Sequence, residues 1–240
     1  MLLTAATVAT ASAAAPIPAR DLTMRADGPA YRFRWRVAPE VAAQPSLLLD
    51  LRAAATRSLA RLRAEAIADR ARAKRVGQGV PTYRLFATTD WKLAADTPKL
   101  LSLIGESSSY SGGAHGSTSY AMRLWDKSAK RPIAMPALFA NWPKARKAIE
   151  ADYCKALAQA QAQRRIGEKV SGFDACPRLS DQVMVPWGGF DDAAPSIIIL
   201  LPPYTAGPYS EGSYEITVAW PASIKPLLKP AWRSTFFPSD

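Results

Sequence analysis

The seven residues Tyr31-Arg32-Phe33-Arg34-Trp35-Arg36-Val37 alternate without exception between apolar and arginine side chains. Side chains along a strand point to opposite faces in turn, so Tyr31, Phe33, Trp35 and Val37 share one face and the three arginines the other. Such an aromatic face needs a covering layer, and the chain supplies one directly after Pro45. Leu48, Leu51, Ala55, Leu59, Leu62 and Ala66 recur at helical spacing, which predicts a helix to about Lys74 with one apolar stripe. Arg57, Arg61, Arg72 and Arg75 fall off that stripe and are read as a solvated face. Gly77, Gly79 and Pro81 stop the helix.

Tyr83 to Leu93 and Leu100 to Tyr110 then read as two strands joined by a turn at Asp96-Thr97-Pro98, and Tyr120, Met122 and Leu124 mark a third. Together these describe a β-meander laid against one helix. Between the last two strands, after Ser107-Ser108-Ser109-Tyr110-Ser111, lies Gly112-Gly113-Ala114-His115-Gly116. Three glycines in five positions describe a tight backbone turn, and that turn holds the only histidine of the chain.

From Pro132 the texture changes. Pro132, Pro136 and Pro143 frame Leu138-Phe139-Ala140-Asn141-Trp142, which leads into a second helix to about Arg165 with Trp142, Ala145, Ile149, Tyr153, Ala156 and Ala160 inward. Ile197-Ile198-Ile199-Leu200-Leu201 is a continuous apolar run, suited to a strand buried on both faces. Tyr214, Ile216, Val218 and Trp220 alternate with Glu215, Thr217 and Ala219 in a further strand. The loop Pro202-Pro203-Tyr204-Thr205-Ala206-Gly207-Pro208-Tyr209-Ser210-Glu211-Gly212 joins the two, and Pro221 to Leu228 suits a short closing helix. The expected architecture is α+β: mostly antiparallel sheets with two long helices packed on them, in two sequential subdomains over 16–130 and 131–240.

Several features bear on compartment. Met1 to Ala15 is apolar and uncharged and ends in Ala11-Ser12-Ala13-Ala14-Ala15 before Pro16, which predicts a signal peptide over 1–15. The usual basic residues ahead of the apolar core are missing, which fits a start codon placed too late or an unusual signal; an alanine-rich tail is the alternative reading. No other stretch is apolar enough to cross a membrane, so no integral membrane segment is expected. The two cysteines, Cys154 and Cys176, agree with export. Oxidised together they close a loop of roughly twenty residues, stabilising by about 3 kcal/mol; two buried thiols are the alternative. Neither has a cysteine or histidine neighbour, and one histidine in the chain leaves only scattered carboxylates as co-ligands. No metal and no cofactor are therefore expected.

With 48% hydrophobic and 21% charged residues the chain is globular and not disordered. Its formal charge of +11 raises anionic partners, against the plainer reading of arginines that keep the surface wet. That charge is unevenly spread. Between Arg178 and Lys225 there is no lysine or arginine, while Asp181, Asp191, Asp192, Glu211 and Glu215 all lie there. Such polarity can steer a cationic partner to one end of the molecule. Tyr204 and Tyr209, each preceded by a stiffening proline, are candidate recognition anchors. The plainer reading packs these tyrosines over the sheet, with the prolines fixing a crossover; it is favoured for Tyr204, and for Tyr209 the two readings stand level. Candidate binding residues are thus His115, Tyr204, Tyr209, Glu211, Asp191 and Asp192, with Gly112, Gly113, Gly116, Pro203, Pro208 and Gly212 shaping the turns. A catalytic His115 would draw on Ser109, Ser111 or Ser117, yet no G-x-S-x-G elbow is present, and a structural histidine bonded to backbone is favoured. Basic residues interleaved with exposed aromatics are not evident on the first helix, so nucleic acid is not an expected partner.

With the glycine turn and the Pro203-Tyr204 to Gly212 loop occurring in this order, the chain resembles the paired domains of unknown function found outside the membrane in lysozyme-sensing anti-sigma factors (RsiV-type), and beside the catalytic domain in some peptidoglycan deacetylases (PdaC-type). The resemblance covers about Tyr31 to Lys229. Ser109 to Gly116 carries its first half; Leu138-Phe139, the second helix and Pro203 through Gly212 carry its second. It implies an α+β fold and a non-catalytic, envelope-facing binding domain, periplasmic or secreted. The partner implied is a peptidoglycan component or a muramidase-like protein. This sequence shows no sigma-binding segment and no deacetylase domain, so signalling and catalysis are not carried over. The rival expectations are an envelope hydrolase using His115 with a nearby serine, and a structural envelope protein.

Overall fold

In a computed structural model of the chain, the described residues are 19–77, 79, 81–168, 170–190 and 192–237. The predicted signal segment 1–15 and the candidate residue Asp191 lie outside them. Two strands open the fold, β1 (Thr23–Asp27) and β2 (Tyr31–Val37), the second with the bounds that its alternation predicts. Helix α1 (Pro45–Arg75) follows, with proline in its first turn and Gly77 at φ +70° beyond its last. Strands β3 (Leu85–Asp96), β4 (Leu100–Tyr110), β5 (Ser117–Asp126) and β6 (Arg131–Ile133) complete a six-stranded sheet in chain order. All neighbours are antiparallel except β2 and β3, which the α1 crossover makes parallel. The meander read from the sequence is therefore β3 to β6, joined to a strand–helix–strand unit.

The second half contributes α2 (Trp142–Arg164) and a three-stranded antiparallel sheet of β7 (Val183–Trp187), β8 (Ser196–Leu201) and β9 (Tyr214–Ala219). Asn141 caps α2, its side-chain oxygen accepting from the Lys144 amide at 3.1 Å. The predicted closing helix is a 3-10 turn over Ala222–Leu227.

These elements stack as four layers. The α1 stripe Leu48, Leu51, Ala55, Leu59, Leu62 and Ala66 covers Phe33, Trp35, Val37, Trp91, Leu103 and Trp125 on one face of the large sheet. On the opposite face, Ile104, Met122 and Tyr120 pack against Val185, Ile198 and Leu200 of the small sheet. The small sheet's remaining side carries Ile197, Ile199 and Leu201, which share a core with Ala145, Ile149, Tyr153 and Leu157 of α2. Strand β8 is thus buried on both faces, as its unbroken apolar run predicts. Ser102 Oγ donates to the Pro186 carbonyl at 3.0 Å and ties the sheets together within the seam.

Cys154 and Cys176 form a disulfide that anchors α2 to the segment after it, and beside it Tyr153 donates to the Pro177 carbonyl at 3.2 Å. Burial pushes the Tyr153 phenol up to about 12. Among the described residues, no helix is long and apolar enough to cross a membrane.

Candidate binding site

The glycine turn is the hairpin loop between β4 and β5. Gly112 and Gly113 sit at φ +100° and +97°, backbone that side chains rarely adopt, and the Tyr110 hydroxyl donates to the Gly113 carbonyl at 2.8 Å. A Cβ on Gly116 would meet the Ser109 carbonyl oxygen at 2.8 Å. The turn is therefore fixed, and it presents His115 exposed at its tip.

The long loop between β8 and β9 is gripped by the C-terminal end of α2. Gln161 and Arg165 donate to the Ala206 carbonyl at 2.7 and 2.8 Å, and Arg164 donates to the Glu211 and Ser213 carbonyls at 2.5 and 2.9 Å while lying over the Tyr214 ring. Arg165 also pairs with Glu211 through two bonds, Nε to Oε1 at 2.8 Å and an Nη2 to Oε2 at 3.0 Å, and the Tyr214 hydroxyl donates to the same carboxylate. The Arg165 guanidinium holds the Glu211 carboxyl below the usual carboxylate range, with Tyr214 adding to the effect. Gly207 makes this approach sterically feasible: a Cβ there would stand 2.1 Å from Glu211 Oε2.

Held in this way, the loop brings Tyr204 and Tyr209 to the histidine. The His115 and Tyr209 rings stack with centroids 3.8 Å apart and planes at 20°; Tyr204 lies 5.8 Å from His115 and 5.7 Å from Tyr209. His115 Nδ1 lies 2.9 Å from the Gly116 carbonyl and Nε2 3.1 Å from the Tyr204 hydroxyl. A carbonyl can only accept, so in the neutral imidazole Nδ1 carries the proton and Nε2 accepts from Tyr204. Tyr204 itself has φ +70°, a strained conformation for a bulky residue, and 57% of its surface is exposed. The three rings, with Ser117, Thr118 and Pro203, line a cleft of about 160 Å³.

The residues singled out in the two loops divide clearly. His115, Tyr204 and Tyr209 converge, although the first stands 89 positions from the second. Glu211 faces inward to Arg165 and Tyr214, with 11% of its side chain exposed. Asp192 is exposed and does not line the cleft. Ser109, Ser111 and Ser117 make no hydrogen bond to the imidazole, whose two nitrogens face Gly116 and Tyr204. Sequence reasoning missed Gln161, Arg164, Arg165 and Gly207. The two arginines read only as the basic last turn of a helix, and Gly207 is one small residue among prolines.

No protein-family model and no curated protein matches the sequence. Solved structures do match. A DUF3298 family protein from Pseudomonas aeruginosa PAO1 superposes with a TM-score of 0.51 at 13% identity, covering 89% of this chain and 94% of its own. A DUF3298 family member from Bacteroides fragilis NCTC 9343 gives 0.55 at 13% identity, covering 88% and 93%. The chain has the fold of DUF3298 proteins. At that identity the likeness to DUF3298 concerns the backbone arrangement and extends nearly end to end in both cases.

Proposed function

We propose that the protein is an exported, non-catalytic domain that binds a component of the cell envelope through the His115–Tyr204–Tyr209 cleft. The observation that carries this reading is the meeting of two stiffened loops at an aromatic cluster, where a strained and exposed Tyr204 flanks the stacked His115 and Tyr209 rings. Strained backbone clusters at binding sites and ligand clamps, which supports a binding role for this exposed aromatic residue. The imidazole supports binding over hydrolysis: both its nitrogens are engaged, and a general base needs one aimed at a nucleophile. The disulfide supports an oxidising compartment. Of the two partner classes implied by the family resemblance, a saccharide of the wall suits the cleft better than a basic muramidase-like protein. Glu211, an acid expected to meet such a protein, is already neutralised by Arg165.

Co-sedimentation with purified peptidoglycan sacculi tests the proposal. The native protein is expected to pellet, Tyr204→Ala and Tyr209→Ala to stay in solution, and His115→Ala to weaken retention with little change in melting temperature. Retention unchanged in both tyrosine variants would refute the site. Binding to a soluble muramidase in place of sacculi would reassign the partner. Release of soluble fragments that His115→Ala abolishes would restore the hydrolase.

A further inference from the structure

The cleft is one end of a longer feature. Pairing across the large sheet aligns Arg25 of β1 with Arg34 of β2, Arg34 with Thr88 of β3, Thr88 with Ser108 of β4, and Ser108 with Thr118 of β5. Directly paired residues share a face, and Phe33 and Trp35 mark the α1 face, so this row lies on the other side. The small sheet covers that side at Ile104, Tyr120 and Met122 but leaves the row at least partly exposed along its whole length. Thr118 lines the aromatic cleft, while Arg25, Arg34 and Thr88 line a second cavity of about 340 Å³. Four interstrand steps separate the ends, about 19 Å at the usual strand spacing.

The chemistry changes along this row. At one end are aromatic faces; in the middle are only the hydroxyls of Thr88, Ser108 and Thr118; at the other end is positive charge. Arg34 is held by Asp27 through two hydrogen bonds of 3.1 and 2.9 Å, and Arg36, on the same face, pairs with Asp90. Arg25 has no ion pair among the described residues and stands directly opposite Arg34. Four arginines of this face, Arg25, Arg32, Arg34 and Arg36, stand against the two carboxylates Asp27 and Asp90. Asp27 serves both Arg32 and Arg34, so Arg25 is left unmatched among the described residues, and like charges opposite each other across strands are unfavourable until an anion joins them.

We infer that the sheet face from Thr118 to Arg25 binds an acidic oligosaccharide, with one sugar ring against Tyr204 and Tyr209 and a carboxylate at Arg25. The inference rests on the cleft being a binding site and adds the ligand class. A pyranose has an apolar face of C–H groups for the rings and an edge of hydroxyls for Thr88, Ser108 and Thr118. The span exceeds one ring and suits a short chain. A nucleic acid strand fits less well, because its phosphates repeat along its length and the middle of the row has no cation.

Calorimetry on the intact chain at low salt, with chitotetraose as the neutral probe and a hyaluronan tetrasaccharide as the acidic one, tests this. The acidic probe is expected to bind about tenfold tighter, Arg25→Ala to remove that advantage without changing affinity for chitotetraose, and Tyr204→Ala to weaken both. Arg25 is exposed and has no ion pair among the described residues, so its variant is expected to fold normally. Equal affinities with no effect of Arg25→Ala overturn the inference and leave the cleft standing. Failure of both probes overturns the inference, and the cleft falls with it if sacculi are not retained either. Tighter binding of oligothymidylate through the same residues replaces the glycan with a nucleic acid.

Discussion

Arg165 at the end of α2 and Glu211 in the loop before β9 form a two-bond ion pair with only 7% and 11% of their side chains exposed. The loop that carries Tyr204 and Tyr209 is therefore locked to a helix end, and the aromatic cluster inherits its geometry from that lock.

Removing one partner leaves the other charge buried alone. Glu211→Gln is expected to destabilise the protein by about 3–5 kcal/mol. The sign of the pH dependence follows from the lowered carboxyl: its contribution is full above the ordinary value of 4.5 and is lost as acid titrates the folded protein below it. Denaturant melts of both proteins across that range check this, and the gap between them is expected to narrow toward low pH.

Gly207 is the spacer of the same lock. Gly207→Ala pushes a methyl into the Glu211 carboxylate and is expected to destabilise by about 1–3 kcal/mol. A double-mutant cycle with Glu211→Gln is the measurement, and the two losses are expected to be strongly non-additive.

At Tyr204 the backbone and the side chain make opposite demands. Tyr204→Gly relieves the positive φ, whereas Tyr204→Ala keeps it, so the glycine variant is expected to be the more stable of the two by about 1–2 kcal/mol. Neither is expected to bind sacculi. Paired melting and co-sedimentation separate the two effects.

The disulfide closes a loop across a sequence separation of 22. Replacing both cysteines by serine is expected to lower stability by about 3 kcal/mol, which for a chain of this size moves the melting temperature by about 6–12 °C. Scanning calorimetry of native and double-serine proteins reads this directly.

The interior of this fold was legible in the sequence and its borders much less so. The alternation at Tyr31–Val37, the run around Ile198 and the stripe on α1 each name an element and its buried face, because one face of each is wholly apolar. The strands that escaped notice are β1, β6 and β7, all at sheet edges. They are short, and Pro132 and Pro186 sit inside two of them, as edge positions permit. The parallel pairing of β2 with β3 left no local mark either, since it depends on where α1 returns the chain. At the site, each loop could be recognised as ordered from its glycines and prolines. Their meeting depends on Gln161, Arg164 and Arg165, which grip the second loop from 40 to 50 residues away in sequence, beyond the reach of any local pattern.

The seam formed by Ile104, Met122, Val185, Ile198 and Leu200 has a consequence for how such a chain can be handled or inherited. Severing it near residue 130 would strip an oily surface from both fragments at once, leaving each prone to clump. Genetic exchange can therefore move the pair, but neither half makes a stable gift alone.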